Sequence, residues 1–272
     1  MPGCGLSIDE NDSFPLHSCS RVDTLNVLMG HQNIVSNVRG TSAETFIVTQ
    51  EGDDIFFLSS DAYEDETTAG TVDILYGVLD YMEKDLHLDS QSGRHRLMIS
   101  DNPGNETLFE TSQWRAKGVG SRGYAVLTKS SLENLADALG NIYFNTTEDA
   151  GNWFDGVTLW LGEEDDYLNV TSIPPSTSQN RSTTTVNAGM GNDVVNINLD
   201  ASENGGSLFV ANGQGGDDIL DASNSTLQMI LFGDGVRFLL CFLSALIHNA
   251  RTHLDMILHE FSGTRHLTWR HQ

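Results

Sequence analysis

Basic residues are scarce in this chain. Fourteen Lys and Arg stand against 38 Asp and Glu, which gives a formal charge of −24 with neutral His. Phosphate binding needs a basic face, so this balance argues against nucleic acid and against an anionic membrane as partner. Proline is also rare, at 5 residues in 272, and Cys occurs only as Cys4, Cys19 and Cys241. Three scattered thiols make neither a disulfide framework nor a zinc site, although a Cys4–Cys19 bridge is conceivable. The apolar run VRFLLCFLSALI at 236–247 has 12 residues, too few to span a bilayer. The opening MPGCGLSIDENDSFPL has no basic start and no apolar stretch behind it, so it does not read as a signal peptide. If the protein is secreted, its signal lies elsewhere, and the expectation is a fragment or an incomplete gene model.

What is abundant is turn chemistry. Twenty-six Gly, with many Asn, Asp, Ser and Thr, point to frequent tight turns rather than long helices. One phrase recurs: a short β-branched or aromatic run, then Gly, then acids, then a second apolar run. It reads TFIVTQEGDDIFFLSSDA at 45–62, VTLWLGEEDDYLNVTS at 157–172, TTVNAGMGNDVVNINLDA at 184–201 and LFVANGQGGDDILDAS at 208–223. A last copy, MILFGDG, stops at 235, and weaker copies lie at 23–33 and 86–101. The last acid of each strong copy is Asp54, Asp166, Asp193 or Asp218, and the final three are spaced by 27 and 25 residues. A fixed period in the twenties marks stacked repeats. One strand–turn–strand unit cannot bury its apolar face alone, whereas units piled in parallel share a core of Val, Ile, Leu and Phe.

The expected fold is therefore all-β: a right-handed parallel β-solenoid over 21–235, with its Gly-acid turns along one edge. An irregular segment precedes it at 1–20. A small helical excursion is expected near 67–88, where Val72, Leu75, Val78 and Leu79 share a helical face, and near 130–140, where Ser130 or Ser131 caps and Gly140 ends it. Past Gly235 the composition changes abruptly. Residues 1–235 carry 36 acids and 10 bases, while 236–272 carry 2 acids, 4 bases and five of the nine His. A capping helix, an interfacial anchor and translated non-coding sequence compete for this tail. The last is preferred, because neither Gly-Asp turns nor β alternation continue.

The acidic turns carry the chemistry. GMGNDVVNI and GQGGDDILDAS resemble the haemolysin-type calcium-binding nonapeptide, G-G-x-G-x-D-x-apolar-x, and residues 21–235 resemble the long repeat arrays of secreted proteins that contain it. The resemblance implies a parallel β-roll or β-helix, calcium in the turns, and a secreted or cell-surface location. The residues that match are Gly189, Gly191 and Asp193 in one turn, Gly213, Gly215, Asp217 and Asp218 in the next, and Gly233 and Asp234 in a third; Asp53 and Asp54, after Gly52, form a more isolated candidate. The departures are that the turns lie 25 or more residues apart, and that GEEDDY and GRHR have lost Gly or Asp. Two readings stay open: calcium held by carboxylates and carbonyls, or Gly-Asp turns capped by their own amides.

Six N-x-[ST] sequons occur, at Asn11, Asn105, Asn145, Asn169, Asn180 and Asn224. No nucleophile elbow, P-loop, H-E-x-x-H or dinucleotide fingerprint is found. The expected function is a non-catalytic structural or adhesive module. Its partners would be calcium ions, cell-surface polysaccharide or neighbouring repeats of a larger chain. The rival is a carbohydrate-active β-helix enzyme or its accessory domain, with Arg94, His95 and Arg96 near Asp89 and Asp101 as its base cluster and Trp114, Trp153 and Trp160 as a sugar platform.

Overall fold

Alternation decides which way each strand faces. In the stretch TTTVNAG, every second residue, Thr184, Val186 and Ala188, is buried, and the residues between are half-buried. The same period repeats along the chain and draws it into strands. The structure, a computed structural model, describes residues 22–62, 74–102, 125–134, 140–145, 152–204 and 206–233, with the backbone of 237–241.

The strands are β1 (Thr24–Leu28), β2 (Val35–Val38), β3 (Glu44–Thr49), β4 (Ile55–Leu58), β5 (Leu86–Ser90) and β6 (Arg96–Ser100). Next come β7 (Ala125–Leu127), β8 (Ser131–Glu133), β9 (Ile142–Phe144), β10 (Gly156–Gly162), β11 (Tyr167–Val170) and β12 (Thr183–Gly189). The last are β13 (Val194–Ile197), β14 (Leu208–Asn212), β15 (Asp217–Asp221), β16 (Met229–Phe232) and β17 (Arg237–Cys241). They form two mostly parallel sheets, ordered β1-β3-β5-β9-β8-β7-β11-β13-β15-β17 and β16-β14-β12-β10-β6-β4-β2. Outside the middle of the chain, consecutive strands alternate between the sheets, so each pair of strands makes one rung. The backbone ladder continues past the composition break at 235, because β17 pairs in parallel with β15. Residues 1–21 and 242–272 lie outside the described residues.

Register places like on like. Val38, Leu58, Ile99, Leu159, Val186, Ala211 and Leu231 are successive partners across all seven strands of the second sheet. Leu168, Val195 and Leu220 make a matching file in the first sheet. These files meet in one apolar core, where each fully buried side chain of this kind is worth about 1.5–3 kcal/mol. A smaller cluster of Phe57, Ala62, Leu75, Met98 and Trp160 packs separately.

The helical excursion is not seen: the described residues contain no helix. Leu75, Leu79 and Met82 do face inward, but Gly77 between them sits at φ +108°, which no α-helix accommodates. Leu75 joins the small cluster, while Leu79 and Met82 enter the main core. Around 130–140, Leu132 lies in β8, which runs antiparallel between β7 and β9. Its sequence SSLENL has helical spacing, yet Leu132 is buried between the two strands it pairs with. Here tertiary packing overrides local preference. Residues 67–73 and 135–139 of these two stretches lie outside the described residues.

Candidate functional site

The Gly-acid turns fall into two stacks, not one. In the early part of the chain they lead from the first sheet into the second: β3 to β4 through EGDD, and β5 to β6 through SGRH. From β10 onward they lead from the second sheet into the first, through GEEDD, GMGND and GQGGDD. They therefore sit at opposite strand ends, and the expected single edge is replaced by two. The copy at 45–60 pairs with 86–100, while those beginning at 157, 184 and 208 pair with one another.

Within each stack the acids form two ladders of opposite sense. The outward residue of each turn reaches forward. Asp165 Oδ1 accepts the Asn192 N–H at 2.7 Å, and Asn192 Oδ1 accepts the Asp217 N–H at 2.9 Å. In the early stack, Asn33 Oδ1 accepts from Asp53 N at 2.9 Å and Asp53 Oδ1 from Arg94 N at 2.8 Å. The inward residue reaches back. Asp193 Oδ1 accepts the Asp166 N–H at 2.8 Å, and Asp218 Oδ1 the Asp193 N–H at 3.1 Å. Asp54 Oδ1 accepts from Ile34 N at 3.0 Å, and His95 Nδ1 takes the Asp54 N–H at 3.2 Å. His95 thus occupies an aspartate's place and does an aspartate's task.

The inward groups are deeply buried. Asp54, His95, Asp166 and Asp193 expose 1% or less of their surface and Asp218 only 2%. Burial raises the Asp166 carboxyl to about 9, helped by the negative charges of Asp193, Asp101, Asp165 and Glu164. Burial likewise raises Asp193 to about 8, against the lowering effect of the Asp166 N–H, with Asp218 and Asp165 adding to the rise. Asp218 is raised by the same cause, burial, and His95 is lowered by burial despite the nearby Asp54. Both carboxyl oxygens of Asp166, and Oδ2 of Asp54 and Asp193, find no hydrogen-bond partner among the described residues.

The glycines bring the turns into direct contact. Gly189, Gly191 and Gly216 lie at φ +100°, +124° and +132°. A Cβ on Gly216 would fall on the Gly191 carbonyl oxygen, and one on Gly189 would fall on that of Gly162. The turn carbonyls bond from rung to rung: Gly162 O accepts Met190 N at 2.9 Å, Gly189 O accepts Gly215 N at 2.8 Å, and Gly215 O accepts Gly191 N at 2.9 Å.

Calcium asks for about six to eight oxygens around one point. In the later stack Asp165, Asp193 and Asp218 each commit an oxygen to a neighbouring amide, and the turn carbonyls do the same. Among the described residues no group of three or more His, Cys, Asp or Glu gathers as a metal site would require. These bonds leave Asp166 Oδ1 and Oδ2 and Asp193 Oδ2 as buried oxygens of the later stack without a partner among the described residues.

Of the expected site residues, Gly189, Gly191, Asp193, Gly213, Gly215, Asp217 and Asp218 are brought together in the later stack. Asp53 and Asp54 stand in the early one. Gly233 follows β16, and Asp234 lies outside the described residues. The ladder members outside the expected set are Asp166 and His95 on the inward side and Asn33, Asp165 and Asn192 on the outward side. Asp166 was visible as the acid 27 residues before Asp193, and His95 lies in GRHR, the weaker copy of the phrase that has lost its acid.

His95 is fully buried, and the Arg94 guanidinium lies on Asp155 at 2.6 and 3.0 Å and on Asn180 at 2.8 Å. Trp153 is buried edge-on to Phe56, Phe144 and His95, and Trp160 is buried in the small cluster; Trp114 lies outside the described residues. Among the sequons, Asn224 is exposed, Asn169 is bonded to Asn196 and Asn180 to Arg94. Among the described residues no helix is long and apolar enough to cross a membrane. No protein-family model, curated protein or solved structure matches the chain.

Proposed function

We propose that the chain is a non-catalytic structural or adhesive repeat module of a secreted or cell-surface protein, wound as a right-handed parallel β-solenoid. The observation that carries this reading is the use made of the turn acids. Their side chains bond to backbone amides of the next or preceding rung, so the polar groups of both stacks serve the architecture. A hydrolase or lyase needs a base and an acid facing a groove within reach of substrate. His95, the imidazole of the basic cluster, faces the interior instead. The strongly acidic surface favours neutral or cationic partners, which include neutral polysaccharide or further repeats of a longer chain.

The test is incubation with a panel of neutral and acidic polysaccharides, read as new reducing ends and as retention on immobilised glycan. The expected result is no product at any pH. Product formation abolished by Arg94→Ala or Asp155→Asn would replace this reading with the carbohydrate-active one.

A further inference from the structure

The inward ladder position performs one task with two chemistries. Asp54, Asp193 and Asp218 each accept an N–H of the preceding rung through Oδ1, and His95 accepts the Asp54 N–H through Nδ1. An imidazole nitrogen accepts only when it carries no proton, so His95 is neutral in this role. The position therefore calls for an acceptor and not for a negative charge. A protonated carboxyl keeps its carbonyl oxygen and supplies that acceptor equally well.

We infer that Asp166 and Asp193 pass through the interior as neutral acids, with protons rather than calcium cancelling their charge, so that folding takes up protons. Four observations support this. Asp166 has two oxygens, and Asp193 one, without a partner among the described residues. An ionised carboxylate buried in that way costs far more than a neutral carboxyl. The charged groups acting on Asp166 are Asp193, Asp101, Asp165 and Glu164, and those acting on Asp218 and Asp193 are also acids. The raised titration of Asp166 and Asp193 agrees in direction. Lastly, the turns bond directly to one another through their backbone amides and carbonyls, with no ion needed to join them. This inference goes beyond the structural-module reading and can fail separately, since a catalytic chain with the same ladder would take up the same protons.

The experiment is denaturant unfolding of the full chain followed by circular dichroism, between about pH 6.5 and 9.5, a window in which His95 stays neutral. Each pH is measured with chelator and with millimolar calcium chloride. The midpoint is expected to fall as pH rises through about 8 to 9 and to be the same in both solutions. The double variant Asp166→Asn/Asp193→Asn should flatten that fall. Asp165→Asn, which removes an exposed charge from the same turn, should keep it, separating the buried pair from general charge repulsion. If the double variant does not fold, proton uptake on refolding the unmodified chain in weak buffer with an indicator dye gives the same answer. A midpoint raised by calcium, a variant slope equal to that of the parent, or no proton uptake would each overturn the inference.

Discussion

Replacing Gly216 by Ala tests whether the turns touch as described. Two costs arise. Gly216 lies at φ +132°, a region that side-chain-bearing residues rarely enter, and the strain is on the order of 1–3 kcal/mol. The added Cβ would also fall on the Gly191 carbonyl oxygen and lie 2.6 Å from its carbon. That obstacle is backbone, so no rotamer change relieves it and the two rungs must part. Parting them releases the Gly215-to-Gly189 and Gly191-to-Gly215 hydrogen bonds, worth about 1 kcal/mol each. The expected loss is about 3–5 kcal/mol. Two other glycines calibrate it. Gly206 has φ +85° and its nearest neighbour is Ser176 Cβ at 3.4 Å, so Gly206→Ala should lose only the strain, about 1–2 kcal/mol. Gly30 has nothing within 4 Å of a new Cβ, and Gly30→Ala should change stability by less than about 0.5 kcal/mol. Equilibrium guanidinium unfolding at fixed pH reads all three. If Gly216→Ala costs no more than Gly30→Ala, the turns are not stacked in contact.

Three further outcomes follow from the ladders. Asp193 has a folded value of about 8 against 3.8 unperturbed, so its support of the fold is complete below about pH 4 and is lost as pH rises through about 8; near pH 7 the loss has an upper bound of about 4 kcal/mol. Relative to the parent, Asp193→Asn keeps the Oδ1 acceptor and should be more stable above pH 7 than at pH 5; Asp193→Ala removes the same titration but strands the Asp166 N–H, and should lie about 1–3 kcal/mol below Asp193→Asn at both. His95 shifts the other way: its folded value lies below 6.5, so neutral His95 supports the fold above about 6.5 and that support fades as pH falls. His95→Asn should remove this acid-side loss, as read by thermal unfolding near pH 5. Arg94→Ala breaks an exposed pair with Asp155 and should cost less than about 1 kcal/mol by the same assay.

Much of the fold was legible because strand period and Gly-acid punctuation are local signals. The TTVNAGMGNDVVNI unit shows both, and β12 and β13 form where it places them. The strand β8 was not legible. Leu132 has helical neighbours in sequence, and only its pairing with Leu127 and Ile142 makes it a strand. The two-stack arrangement was hidden for a different reason: the strand–Gly–acid–strand phrase reads the same whichever sheet comes first. The turn aspartates were legible as a set, but their task was not. Sequence shows a carboxylate beside glycine, while the geometry shows Oδ1 of Asp193 and Asp218 already taken by amides one rung away. His95 could be recognised as their equivalent only through its register against Asp54.

Residue-resolved amide hydrogen exchange, with chelator present, measures directly whether the turn carboxylates cap the rungs. The amides of Ile34, Asp166, Asp193 and Asp217 are bonded to side chains across rungs. They should exchange as slowly as those of the central strands β10 and β12, and adding calcium should leave their rates unchanged. Fast, loop-like exchange that slows only on adding calcium would show that a metal, and not the backbone ladder, holds these turns.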